Sequence, residues 1–444
     1  MVLLGQVPSL AHRGWSIPTL RSLFHASAPL RHCELTILGT SSGGPGRGRN
    51  SSSMLLRWDG KAMLFDCGDG TLRQFLYLTA APLRVNHIFI THLHGDHIFG
   101  LPSILLHLNV AHKGRNQDRT HSTSIDSAEP IRIFGPEGLY NYLAASFKLS
   151  RSKLHCNILV HEFVFEPPQG NHKERILRKT AAPIPVLSMG PRLSQRTILP
   201  DKGKPYVWTL PSIAKSQQGY RAEQGEVSIK AVSIRHTVPT VGYVLEEDTL
   251  RGNIDAEKAT ALGLSPGVKY KDLANGLDVT LPNGDVIRCA DVVSPEVRGR
   301  KLTILGDTKD PSRIEEHATG SDLLVHEATV EEDETKARLS GHSTPRMAGA
   351  FAKAVGARRL LLTHFSARMD RGRFRPVEVS ADWRLPKEPK LAAIEDGKAR
   401  AEAGDRSPMT RKLVGLAQGT FGSPAVLVAQ DFMTISIPKG GFQK

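Results

Sequence analysis

Residues 87–101, HIFITHLHGDHIFGL, constrain this chain more than any other stretch. The apolar run at 87–91 reads as a buried strand, and a helical pattern begins at Gly100. Between them a loop carries His92, His94, Asp96 and His97. Imidazole and carboxylate oxygen are donors that suit Zn²⁺ or Mn²⁺. Four such donors within six residues cannot all close on one tetrahedral ion without strain. Alternation along the backbone divides them, His92 and His94 toward one cation, Asp96 and His97 toward a second. Each cation then needs ligands from elsewhere, so distant segments must end beside this loop.

Three further donors stand at the ends of strand-like runs. His236 closes the run beginning at Val227, Asp307 follows 301–305 in LTILGDT, and His364 follows 360–363 in LLLTH. A rigid sheet can aim such residues at a common edge. Other strand-like runs lie at 34–38, 53–58, 62–66, 131–134, 323–325 and 425–428. Helical patterns lie at 71–80, 100–112, 136–149 and 344–355. This mixing predicts a layered α/β domain. Segments 111–130, 167–222 and 370–422 interrupt it, the last partly helical around 390–403. The donor-bearing motifs straddle them, so they read as insertions within one domain.

Composition removes several classes of function. With 40% hydrophobic and 23% charged residues, the chain is neither collagen, coiled coil nor wholly disordered. No apolar stretch approaches the ~18 residues of a membrane-spanning helix. Four cysteines in 444 residues, with no CxxC pair, exclude a disulfide framework and a thiolate zinc site. The net charge of +14 favours a polyanionic partner. Residues 1–33 contain no acid, three arginines and several serines, the pattern of an organellar transit peptide for a mitochondrion or plastid. Losing those arginines would still leave +11.

These motifs together resemble the ribonuclease Z (tRNase Z) family, short form, of the metallo-β-lactamase superfamily. HxHxDH marks the superfamily. The closer likeness lies in LGTSSGGPGRGRNSSS at 38–53, with its P-x-(K/R)-x-R-N segment at 45–50, and in FDCGDGTLRQ at 65–74. It continues through RHTVPTVGY, LGDT, VHEAT, GHST and THFSAR to AQDF at 429–432. The resemblance implies a four-layer αββα sandwich spanning 34–438, with a short tail at 439–444. It implies one ion held by His92, His94, His236 and Asp307, and a second by Asp96, His97, His364 and the bridging Asp307. Two Zn²⁺ per subunit are expected, with Mn²⁺ also compatible. Segment 249–291, containing GLSPGVKYKDLANGLDVTLPNG, resembles the family's protruding tRNA-gripping arm, with Lys269 and Lys271 near its tip.

The expected activity is removal of the 3′ trailer of precursor tRNA, by water attack on a phosphodiester. Asp96 would accept the water's proton. His342, held protonated by Glu327, would supply a proton to the leaving 3′-oxygen, while Ser343 or Thr344 caps the next helix. Arg47, Arg49 and Asn50 are suited to phosphate and base edges near the RNA 3′ end. A homodimer is expected. The competing readings are a superfamily hydrolase of small phosphodiesters or other esters, and a non-catalytic RNA-binding paralogue.

Overall fold

Strand alternation explains how the chain forms layers. In Ser53–Trp58, Met54 and Leu56 enter one buried cluster while Leu55 enters another. Neighbouring strands repeat the pattern with Met63 and Phe65 against Leu64. Sheets that bury both faces need a partner layer on each side. The computed structural model describes residues 33–78, 85–117, 129–165, 192–212, 226–249, 252–370 and 407–442. Among these, two mixed sheets pack face to face.

The first sheet runs in the spatial order Thr434–Ser436, Cys33–Gly39, Ser53–Trp58, Lys61–Phe65, Val85–Phe89, Ile131–Pro136, Ile158–Phe163, Leu193–Ile198. The second runs Val426–Val428, Arg359–Thr363, Leu323–Glu327, Lys301–Leu305, Thr240–Glu247, Val227–Ile234, Val207–Leu210. Each sheet joins an antiparallel part to a parallel part. Aromatic rings fill the space between them. Phe65 and Phe89 stack at 4.9 Å, Phe89 and Phe134 at 5.2 Å, and Tyr243 meets Phe89 edge-on. The Tyr243 hydroxyl crosses between sheets and donates to the Ile90 carbonyl at 2.7 Å. Helices Thr71–Leu76, Leu101–Gln117 and Leu139–Leu149 contribute to the cluster on the outer face of the first sheet. Pro345–Ala354 and Pro408–Phe421 pack together beside the second.

The predicted four-layer αββα arrangement is therefore present. Several predicted insertions carry more structure than their composition suggests. Helix Leu101–Gln117 continues into the segment read as a loop from 111, and 118–128 lie outside the described residues. Two strands, Leu193–Ile198 and Val207–Leu210, fall within 167–222 and form one edge of each sheet. The first hides from sequence reading because only Leu193 is buried, as edge strands permit. Helix Pro408–Phe421 falls within 370–422 and buries Leu413, Ala417 and Phe421. The helix expected at 390–403 and all of the leader expected at 1–33 except Cys33, which begins a strand, lie outside the described residues.

Segment 252–294 has a small core of its own, made of Ala259, Leu264, Leu273, Val279, Leu281, Ile287 and Val292. It holds short helices at Ala256–Ala261, Lys269–Ala274 and Cys289–Val292, with a ribbon pairing Val279–Thr280 to Val286–Ile287. The tail predicted at 439–444 is seated through Phe442, whose ring is buried.

Candidate metal centre

The seven expected ligands come from the carboxyl ends of strands in both sheets, where open α/β sheets place their sites. Val85–Phe89 leads to His92 and His94, and Val227–Ile234 to His236. Lys301–Leu305 leads to Asp307, and Arg359–Thr363 to His364. One detail differs from the sequence reading. Gly95–Ile98 winds into a helical turn with His94 at its N-cap, so Asp96 and His97 project from a helix rather than a loop. Gly68 must lack a side chain there, because a Cβ would sit 2.1 Å from the Asp96 carbonyl.

Two groups form. His92, His94, His236 and Asp307 bring one ligand atom each within 4.8 Å of one another, as do Asp96, His97 and His364. Asp307 lies between them, one oxygen 3.5 Å from His97 Nε2, the other 3.4 Å from His364 Nε2 and 3.7 Å from His92 Nε2. The outer nitrogen of four rings is taken. His97 Nδ1 donates to Asp66 at 2.8 Å and His236 Nδ1 to the Gly341 carbonyl at 2.7 Å. Thr91 Oγ1 donates to Asp66, leaving it to accept from His92 Nδ1 at 3.0 Å. Thr329 Oγ1 likewise donates to Glu327 and accepts from His364 Nδ1 at 2.8 Å. The other nitrogen of each of these rings faces inward, where His94 Nδ1 joins them. His92 Nε2 is 3.1 Å from His94 Nδ1, His236 Nε2 is 3.3 Å from that atom, and His97 Nε2 is 3.2 Å from His364 Nε2. Ring nitrogens at that separation must share a proton or a metal ion, and five imidazoles with two carboxylates converging on one space form a donor set that fits bound metal.

Electrostatics agree. Burial resists ionisation of Asp307, yet His364, His97 and His92 hold its carboxyl well below the usual range. Burial lowers His92, His94 and His236, favouring the neutral ring that a metal ligand requires. Burial opposes charge on His97 too, but Asp307 and Asp66 raise it strongly, a pull toward positive charge that a metal can answer in place of a proton. His364 itself has φ +61°, and Asp66 φ +55°, backbone strain of the kind stored at functional sites.

Beside the cluster, His342 Nδ1 lies 2.9 Å from Glu327 Oε1. The GHST run explains how it arrives. Gly341, at φ +86°, ends helix Glu334–Ser340, and any Cβ there would meet His236 Nδ1 at 2.9 Å. Ser343 Oγ donates to the Thr308 carbonyl at 2.5 Å, and Thr344 caps the next helix by accepting from the Met347 amide. Burial opposes protonation of His342, but the hydrogen bond and charge of Glu327, with Asp307 and Asp96, raise it to about 9.

The loop at 43–50 reaches over the cluster, where the Gly43 amide donates to Asp96 Oδ2. Arg47 is exposed. Arg49 departs from expectation. Its buried guanidinium donates to Thr40 Oγ1 at 2.9 Å and the Ala429 carbonyl at 3.0 Å, and lies 4.7 Å over the Phe365 ring. It braces the loop from within, because Ala429 and Phe365 bring partners that sequence spacing does not show. The Asn50 amide donates to Asp431 at 2.6 Å, while its buried Nδ2 has no hydrogen-bond partner among the described residues. Lys269 and Lys271 are exposed on helix Lys269–Ala274, remote in sequence from the cluster.

Sequence reasoning passed over Asp66, Thr91, Thr329 and Asp431. Asp66 carried a signal, an acid at the end of a buried strand; the threonines carried none.

The fold and the paired donor groups define a member of the metallo-β-lactamase superfamily, whose family profile, "Metallo-beta-lactamase superfamily", matches residues 46–132. The chain is 35% identical over 409 residues to zinc phosphodiesterase ELAC protein 1 of Homo sapiens, covering 91% of this chain and 98% of that protein. It is 34% identical over 339 residues to ribonuclease Z of Streptococcus sanguinis, covering 76% of this chain and 90% of that one. Human tRNase Z, short form, superposes with TM-score 0.52 at 26% identity, over 91% of this chain and 99% of the other. The chain belongs to the ribonuclease Z family.

Proposed function

We propose that this chain is an endoribonuclease that removes the 3′ trailer of precursor tRNA, leaving a tRNA 3′-hydroxyl and a 5′-phosphorylated trailer. The observation that carries the reading is the set of imidazole nitrogens converging around Asp307, flanked by Asp96 and by a Glu327-held His342. His92, His94, His236 and Asp307 would hold one Zn²⁺, and Asp96, His97, His364 and Asp307 a second, with Mn²⁺ compatible. Bound there, the pair supplies an activated water at neutral pH and neutralises charge on a phosphoryl oxygen. Asp96 takes the proton released as water attacks the phosphorus. Glu327 occupies His342 Nδ1, which leaves Nε2 to protonate the departing 3′-oxygen. Without that proton the 3′-oxygen would leave as a poorly solvated alkoxide.

Arg47 supplies an exposed guanidinium on the loop over the site, and Asn50 ends that loop. Lys269 and Lys271 supply positive charge on the arm. The arm's separate core supports a role as an appendage for RNA, which a small substrate would not need. A homodimer, with each arm serving its partner's site, accords with this arrangement. The acid-free leader supports delivery to a mitochondrion or plastid, which a fusion of residues 1–40 to a fluorescent protein would test.

The decisive experiment incubates the purified chain and Zn²⁺ with a tRNA precursor bearing a 3′ trailer, then maps both product ends. Cleavage beside the tRNA 3′ end, with phosphate on the trailer, is expected. A 2′,3′-cyclic phosphate on the tRNA, or no cleavage by a fully metallated chain, would overturn the reading.

A further inference from the structure

The arm leaves and rejoins the sandwich between Glu247 and Arg300. These two are paired through their backbones, and Arg300 is fully buried. Its guanidinium grips Glu247 with two bonds, Nε at 2.8 Å and Nη2 at 2.9 Å. It also reaches Asp59 at 3.4 Å and lies 5.0 Å over the Trp58 ring, both on the first sheet. One side chain at the arm's base thus ties the two sheets together. Gly299 permits this closure, because a Cβ would sit 1.7 Å from the Glu247 carbonyl.

A second set braces the returning strand. Asp322, fully buried, pairs with Arg298 and accepts from the Lys301 amide at 2.8 Å and the Phe442 amide at 3.2 Å. Arg358 binds the Phe442 carbonyl and lies 3.5 Å from Asp322, while Arg359 covers the Phe442 ring at 3.7 Å. Asp322 therefore joins the arm's exit to the C-terminal segment. Farther out, the neck is two strands wide, bridged where Ile254 pairs with Val293.

The site's chemistry uses none of these groups. We infer that Glu247, Arg300 and Asp322, closed over by Phe442, form a latch that fixes the stance of the arm and thereby positions precursor tRNA. Directional ionic contacts suit this task, because apolar packing tolerates small rotations and a bidentate carboxylate–guanidinium pair does not. A small rotation at a two-stranded neck is multiplied along the arm's length. These are positioning residues, and the inference rests on the RNA-gripping role of the arm proposed above.

The test combines Phe442→Ala and Asp322→Asn with deletion of 252–294, in the full metallated chain. Steady-state kinetics would use precursor tRNA and bis(p-nitrophenyl) phosphate. Each substitution should raise the KM for precursor tRNA ~5-fold or more, leave kcat on the small ester within about 2-fold, and have no further effect once the arm is gone. Unchanged KM, or an equal loss on both substrates, would overturn the latch. So would an undiminished effect in the armless chain. Hydrogen exchange within 252–294 gives a second readout, and both substitutions should accelerate it. If deleting the arm leaves KM unchanged, the RNA-gripping role fails instead, and exchange alone then decides whether the latch holds the arm.

Discussion

The active centre relies on side chains that touch no substrate. Asp66 orients His97 and, through Thr91, His92, so one carboxylate governs a ligand of each proposed ion. Asp66→Ala should weaken zinc affinity about 10–100-fold, measured by competition with a chromophoric chelator. An unchanged affinity would mean that the ring orientations are set by packing alone. Acid should act in the same direction. Asp307 and Asp66 raise the affinity of His97 for a proton, and a proton there competes with metal, so zinc binding should strengthen as pH rises and weaken as it falls. His342→Ala should lower kcat on precursor tRNA by roughly 10²–10⁴ while zinc content stays at wild-type level. Zinc loss in that variant would instead make His342 a support of the metal cluster. The donor residues were legible in the sequence because imidazoles and carboxylates rarely crowd six positions. Their supports were not, since a threonine's hydrogen bond to a ring 35 residues away leaves no local pattern.

At the level of elements, most strands were readable from their apolar residues, but Ile158–Phe163 was missed because His161 and Glu162 interrupt its run. Thr240–Glu247 escaped because Gly242 and two glutamates break its apolar pattern, although Val241, Tyr243 and Leu245 are all buried. Helix Pro408–Phe421 escaped because two glycines and several polar residues dilute it. Only the i, i+4, i+8 set of Leu413, Ala417 and Phe421 faces inward. Its fit is close, since a Cβ on Gly349 of the neighbouring helix would meet the Ala417 carbonyl at 2.3 Å. Leu413→Ala should therefore cost about 2–5 kcal/mol of stability by denaturant unfolding. A loss below 1 kcal/mol would show that the helix is peripheral despite its burial. The arm was legible as a segment by resemblance, but not its helices or core, which arise from apolar residues scattered among turns.

Across the molecule, the aromatic layer between the sheets carries two histidines, His161 buried and His87 half-buried. His161 stacks on Phe134 at 4.5 Å, and His87 lies parallel to the same ring at 6.5 Å. Burial, with Arg132 and other cations nearby, lowers each to about 4 from an ordinary 6.5. The folded state therefore binds fewer protons than the unfolded chain between these values. Its stability is complete above about pH 6.5 and declines as pH falls toward 4. His87→Phe should flatten that acid limb in urea titrations at pH 7.5 and 5. An unchanged limb would place the acid sensitivity elsewhere, in the metal cluster above all.

The proposed ligands are drawn from both sheets, and His364 arrives after most of the chain. A ribosome releasing this polypeptide therefore holds no assembled nuclease until the last parallel strands dock. Destructive chemistry toward RNA is withheld from the nascent chain by its topology, with no inhibitor or propeptide required.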